Sequence, residues 1–212
     1  MRILGIDEAG RGCVFGPLFV AGFLLEDGSE EELRSLGADD SKKLSHKRRW
    51  EARHRLASKG TPDVRKIEPV EIDAGNLNTL EEKLVADLVS TWRPDRVVID
   101  ALGHPRTLAA IVARIRSQVS DAPAGQEWIM EPKADSIWPV VGAASIFAKT
   151  DRDAALTLWE AEYGALGSGY PSDPVTRAWL EHWHRSKKPW PPFVRTRWET
   201  VRALSEPSLF GA

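Results

Sequence analysis

The sequence predicts an α/β fold, and three observations carry that expectation. Met1 to Ile6 and Arg96 to Ile99 are apolar runs of strand length, and each leads into a carboxylate, at Asp7 and at Asp100. Between them lies a segment with Leu80, Leu84, Leu88 and Val89 at helical spacing. Strands that end in aspartates bring those carboxylates to one edge of a sheet, where open α/β folds bind their ligands.

The elements follow in order. Val14 to Leu25 is rich in β-branched and aromatic residues and reads as a second strand, antiparallel to the first. Asp27-Gly28 supplies a turn, Glu30 to Leu36 a short acidic helix, and Ser45 caps a basic helix over Lys47 to Ala57. A third strand is expected over Val64 to Ile72. Asn76 or Asn78 caps the helix that runs to Trp92, which Pro94 stops, and Arg96 to Asp100 forms the next strand. Pro105 to Val119 reads as helix and Glu127 to Met130 as an edge strand. The long helix Pro139 to Tyr163 carries Val140, Ala144, Phe147, Ala154 and Leu158 as a core-facing stripe. Two shorter helices, Val175 to Arg185 and Arg197 to Leu204, follow the glycine- and proline-punctuated loop Gly164 to Pro174.

Composition narrows the function classes. A chain of 212 residues, 42% hydrophobic and 28% charged, is long enough for one substantial core, so a single domain over 1–212 is expected. No apolar run reaches membrane-spanning length, and no secretory signal precedes the first strand, which points to the cytoplasm. The single cysteine, Cys13, excludes an internal disulfide framework and a thiolate zinc site. A net charge of −2 argues against a generic polyanion binder. Basic residues nevertheless crowd Lys42 to Arg55 and His182 to Arg202, so a local basic face is open, as is a plain solvated surface.

Asp7 and Asp100 can meet at the sheet edge. Neighbours on a regular strand face opposite ways, so Glu8 joins Asp7 only if the strand breaks there, which Gly10 and Gly12 permit. Asp135, just before the long helix, is a further acidic candidate. Carboxylates without histidine or cysteine suit hard cations such as magnesium or manganese, and four of them can hold two cations roughly 3.5–4 Å apart. Each aspartate also has a plain reading as a cap or turn residue. The glycines fail the dinucleotide fingerprint in spacing and context, and no Walker lysine follows them. Lys149 and Arg152 share a helix face, with Ser145 one turn earlier, and can grip phosphates. Ser41, Lys42 and Lys43 form a second such cluster, and Tyr170 offers a ring for stacking. The alternative for each group is a solvated surface.

Five segments, in this order, resemble the ribonuclease HII family: GIDEAGRG at 5–12, DSKKLS at 40–45, VVID at 97–100, KADSIWPVVGAASIFAKTDRD at 133–153 and GSGYPSDP at 167–174. The resemblance implies a ribonuclease H-like fold, a mixed sheet flanked by helices, with a C-terminal helical region at about 175–204 and a flexible tail at 205–212. It implies an endonuclease that cuts the RNA strand of RNA/DNA hybrids, including single ribonucleotides embedded in duplex DNA, and leaves 3′-hydroxyl and 5′-phosphate ends. Asp7, Glu8, Asp100 and Asp135 match the family's metal ligands for Mg2+ or Mn2+. Gly10, Arg11 and Gly12 match its reader of the ribose 2′-hydroxyl. Tyr170 matches the tyrosine that stacks on the deoxynucleotide sugar beyond the scissile phosphate, while Ser41, Lys42, Lys43, Lys149 and Arg152 look like phosphate contacts. Phe193 to Trp198 is more similar to the archaeal and eukaryotic branch. Cys13 stands where the family has proline, which implies a looser backbone after the glycine-arginine-glycine segment, and Trp138 stands where tyrosine is common. The tail Glu206 to Phe210 resembles a sliding-clamp-binding peptide, and the chain is expected to be a monomer. The competing functions are a non-cleaving nucleic-acid-binding module of the same fold and a related DNA nuclease or resolvase.

Overall fold

The computed structural model describes residues 1–26, 28–38 and 44–205. They form a five-stranded sheet in the order β3-β2-β1-β4-β5, made of β1 (Ile3–Ala9), β2 (Leu18–Leu25), β3 (Thr61–Ile67), β4 (Arg96–Asp100) and β5 (Glu127–Glu131). β1 pairs antiparallel with β2, and β2 with β3. β4 joins the other side of β1 in parallel, and β5 continues in parallel beyond it, so the sheet is mixed. Parallel neighbours need crossovers. Here they are α3 (Pro69–Ala74) with α4 (Leu77–Trp92) before β4, and α5 (Leu108–Arg116) before β5.

Alternation along the strands builds two cores. Leu4, Ile6, Leu24, Val97 and Ile99 pack with Leu88 and Val89 of α4 and Ile111 of α5. Ile3, Phe23 and Val98 pack on the opposite face against α7 (Pro139–Tyr163), with Leu33 of α1 (Glu30–Ser35) and Leu56 of α2 (His46–Leu56). α7 approaches β1 so closely that a Cβ on Gly5 would stand 2.4 Å from the Val140 carbonyl. Ser45 caps α2, Asn76 caps α4 and Pro139 opens α7. A third cluster joins Val14 and Phe15 to Trp179 and Leu180 of α8 (Pro174–Arg185), Phe193, Val194, and Val201 of α9 (Glu199–Ser205). No helix among the described residues is long and apolar enough to cross a membrane.

Several expectations need correction. The second strand begins at Leu18, because Gly16 takes φ +81 and Val14–Phe15 turn away to meet Val194. The third strand ends at Ile67, since Glu68 and Glu71 form a capping box and Pro69 opens a helix. α5 stops at Arg116, short of Val119, and α9 starts at Glu199 rather than Arg197. Leu158 is 73% exposed, because in this part of α7 Leu156, Trp159 and Tyr163 face the C-terminal cluster and Leu158 does not. Arg49 and Arg53 of the basic helix are not simply solvated, as they pair with Asp153 and Asp151 of α7, each at 2.6 Å.

Candidate active site

Asp7, Glu8 and Asp100 interact at the carboxyl end of the central strands, and Asp135 is tied to them through Lys149. Asp7 lies in β1, and its parallel pairing with β4 stops at Ile6, opposite Ile99. Asp100 ends β4, and its Oδ1 accepts the Ala134 N–H at 2.9 Å, which seats the short helix α6 (Ala134–Ile137) and buries Asp135 completely. The expected strand break at Asp7 does not occur, because β1 stays paired with β2 through Ala9. Glu8 still interacts with both Asp7 and Asp100, at the point where the pairing of β1 with β4 has ended.

Like charges at this spacing are costly. Burial, opposed by Lys149 and a Ser145 hydrogen bond and reinforced by Asp100, pushes Asp7 up to about 6. Burial, and then the charge of Asp7, pushes Glu8 up to about 8. The Lys149 ammonium donates to Ser145 Oγ at 2.6 Å and lies 4.0 Å from Asp135 Oδ2, so it supplies countercharge to the cluster. Among the described residues, no group of three or more acidic, histidine or cysteine side chains is arranged to hold a metal ion as it stands. The donor chemistry does fit one: all ligands are hard oxygens, charges of one sign converge, and the buried Oε2 of Glu8 has no hydrogen-bond partner among the described residues. A cation there would relieve the repulsion among these carboxylates.

Beside the carboxylates is a cleft of about 350 Å³, lined by Glu8, Gly10, Arg11, Gly12, Arg49, Lys149, Arg152 and Tyr170. Gly10 has φ +92, and a Cβ there would lie 2.9 Å from the Pro17 carbonyl, so only glycine makes this turn. Arg11 is drawn toward α4, where Asn78 accepts from its guanidinium and the buried Glu81 pairs with it. Arg152 donates to the Ser168 carbonyl, approaches Cys13 Sγ at 3.7 Å and lies 5.4 Å from the Tyr170 ring centre. Tyr170 is 40% exposed at the mouth, on a loop held by Asp173, whose carboxylate accepts from Ser168 N at 2.6 Å and Val175 N at 2.8 Å. The Ser168 hydroxyl and these backbone bonds hold Asp173 down to about 2.

Cys13 does not leave its neighbours loose. It is buried, its N–H returns to the Gly10 carbonyl at 3.2 Å, and Val14 N–H donates to the Gly169 carbonyl at 2.8 Å. Sequence reasoning missed Arg49, Glu81 and Arg195 as parts of this neighbourhood. The one available signal was for Glu81, a carboxylate flanking the apolar stripe of α4. Ser41, Lys42 and Lys43 lie outside the described residues, as does the tail from Glu206 onward.

Comparisons with known proteins give the family. The family model described as Ribonuclease HII matches residues 4–201. Ribonuclease HII of Aeropyrum pernix is 42% identical, over 97% of this chain and 91% of its own length. The crystal structure of the ribonuclease H2 from Pyrococcus horikoshii superposes with a TM-score of 0.86 at 35% identity, covering 96% of this chain and 97% of that one. A structure of the PCNA:RNase HII complex from Archaeoglobus fulgidus gives a TM-score of 0.83 at 37% identity, with 98% of each chain covered. The chain therefore belongs to the ribonuclease HII family, hydrolases that cut RNA in RNA/DNA hybrids.

Proposed function

We propose that this chain is an endonuclease that cuts the RNA strand of RNA/DNA hybrids and also cuts at single ribonucleotides embedded in duplex DNA. The observation that carries the reading is the interaction of Asp7, Glu8 and Asp100, with Asp135 tied to them through Lys149, beside a cleft lined by Gly10, Arg11, Gly12 and Tyr170. In this reading the four carboxylates hold Mg2+ or Mn2+. Cations held there would lower the pKa of a bound water and stabilise negative charge on the leaving 3′-oxygen, chemistry that would leave 3′-hydroxyl and 5′-phosphate ends. The protein does the rest. Amides of the Gly10 to Gly12 turn read the ribose 2′-hydroxyl, Tyr170 stacks on the following sugar, and Lys149 and Arg152 hold phosphates. By resemblance, Ser41, Lys42 and Lys43 add phosphate contacts.

The proposal extends to a single catalytic domain, acting as a monomer in the cytoplasm, where a free buried thiol such as Cys13 persists. It also assigns the tail Glu206 to Phe210 to a sliding clamp, on the resemblance of that segment and on the relative solved as a PCNA complex. The test is cleavage of two duplexes identical but for one ribonucleotide, by the parent protein and by Asp100→Asn. The parent should cut only the ribonucleotide duplex, and Asp100→Asn should bind it with its cleavage rate reduced by at least about a thousandfold. Cutting of the all-DNA duplex would favour a DNA nuclease, and binding without cutting by the parent a recognition module.

A further inference from the structure

Arg195 is the largest fully buried side chain among the described residues, a guanidinium with no exposed surface. Long charged side chains are seldom buried without a strong reason. Its partners are backbone carbonyls: Nε donates to Gly16 O at 2.8 Å, Nη1 to Arg11 O at 2.9 Å and Nη2 to Gly10 O at 2.7 Å. Trp198 lies under the guanidinium, 4.9 Å from ring centre to Cζ. The backbone of the same residue is tied to this region too, with Arg195 N–H donating to Val14 O at 2.9 Å and Gly16 N–H to Phe193 O at 2.7 Å. Burial lowers the Arg195 pKa to about 10, which still leaves the side chain charged at neutral pH.

The orientation of the turn follows from peptide geometry. In a trans peptide the carbonyl and the next residue's N–H point in opposite directions. Drawing the Gly10 and Arg11 carbonyls inward onto Arg195 therefore turns the Arg11 and Gly12 N–H groups away from it. Both residues line the cleft, and neither N–H meets an acceptor among the described residues.

We propose that Arg195 is the positioning residue that aims the Arg11 and Gly12 amides into the cleft as a donor pair, and that it thereby sets the preference for ribose over deoxyribose. This rests on the reading of Gly10 to Gly12 as the sugar reader. The side-chain partners of Arg195 are backbone carbonyls and Trp198 rather than the carboxylates, so it acts from the C-terminal region through the backbone of the turn. Lysine in its place keeps the charge but cannot span three carbonyls with one ammonium.

The experiment measures dissociation constants for the single-ribonucleotide duplex and the all-DNA duplex of the same sequence, in Mg2+, with Asp100→Asn in every protein to block cleavage. Arg195→Lys should lower the ribonucleotide preference by about tenfold, while binding to the all-DNA duplex stays within about twofold. Trp198→Leu, which removes the ring under the guanidinium and leaves every carbonyl bond possible, should lower it by about threefold. Loss of folded protein scales both constants alike and leaves their ratio unchanged, so a merely structural role does not produce this result. Circular dichroism reports whether each variant folds, and Trp198→Leu carries the test if Arg195→Lys does not. An unchanged preference in either folded variant overturns the proposal. If the parent itself shows no preference, the sugar-reading role of Gly10 to Gly12 fails and the assignment of Arg195 falls with it.

Discussion

Asp7 and Glu8 are adjacent in sequence and both buried: burial makes the ionised form of each costly, and the charge of Asp7 adds to the cost for Glu8. Both carboxyls titrate higher in the folded chain than their ordinary values of 3.8 and 4.5. The folded chain therefore keeps protons that the unfolded chain releases. The contribution of these two groups to metal-free stability is greatest below the ordinary values and is lost as pH rises through about 6 and about 8. Asp7→Asn should accordingly raise the melting temperature of the metal-free protein at pH 8.5, by the equivalent of about 1–3 kcal/mol, and flatten its pH dependence. Saturating Mg2+ should reverse the ranking of parent and variant. A parent melting temperature that does not change between pH 5 and 8.5 without metal would contradict this account. At the same scale, Lys149 lies among the carboxylates as their countercharge, a position that its helical spacing from Arg152 did not indicate.

At the scale of elements, the site depends on how α7 lies across β1. Lys149 and Arg152 reach the cleft because Gly5 lets the start of the helix touch the strand backbone. A Cβ at Gly5 would meet the Val140 carbonyl carbon and oxygen, both backbone atoms with little room to move. Gly5→Ala should cost about 3 kcal/mol or more, read from the denaturant midpoint, and should lower hybrid cleavage in whatever fraction remains folded. A variant of parental stability would show that α7 can shift freely, contrary to the packing. The Tyr170 loop is fastened by local bonds instead: Asp173 caps α8 and takes the Ser168 amide, and Gly169 N–H donates to Thr176 Oγ1 at 3.0 Å.

At the scale of the molecule, the C-terminal region closes over the turn that follows β1. Phe193 stacks on Trp159 at 4.9 Å and meets Phe15 edge-on at 5.6 Å, so helix, turn and C-terminal segment share one aromatic cluster. Phe193→Ala should destabilise the protein by about 3–5 kcal/mol in urea unfolding. Unfolding at an unchanged midpoint would mean that the region is docked by its hydrogen bonds alone. Removing Pro207 to Ala212 should leave hybrid cleavage unaltered and abolish clamp binding, which surface plasmon resonance on an immobilised clamp measures. Unchanged clamp affinity would end the assignment of the tail.

Strand and helix identities, and the carboxylates that end the central strands, were legible in the chain because apolar periodicity and abrupt charge are local signals. Asp7, Glu8, Asp100 and Asp135 could be named from their own surroundings and from the motifs they sit in. The breaks at Gly16 and Glu68 were harder, since an apolar or β-branched run continues to read as strand until a turn or cap interrupts it. Arg195, Glu81 and Arg49 were not legible as parts of the site. What makes each matter is a partner far along the chain: Gly10 and Arg11 for Arg195, Arg11 for Glu81, and Asp153 for Arg49. The sequence by itself determined which groups are the candidates for the chemistry, because carboxylates, glycines and a loop tyrosine are recognisable by type and spacing. Only the tertiary structure decided how the Gly10 to Gly12 turn is oriented, because peptide planes are turned by the partners their carbonyls meet after folding, and here that partner, Arg195, comes from the opposite end of the chain.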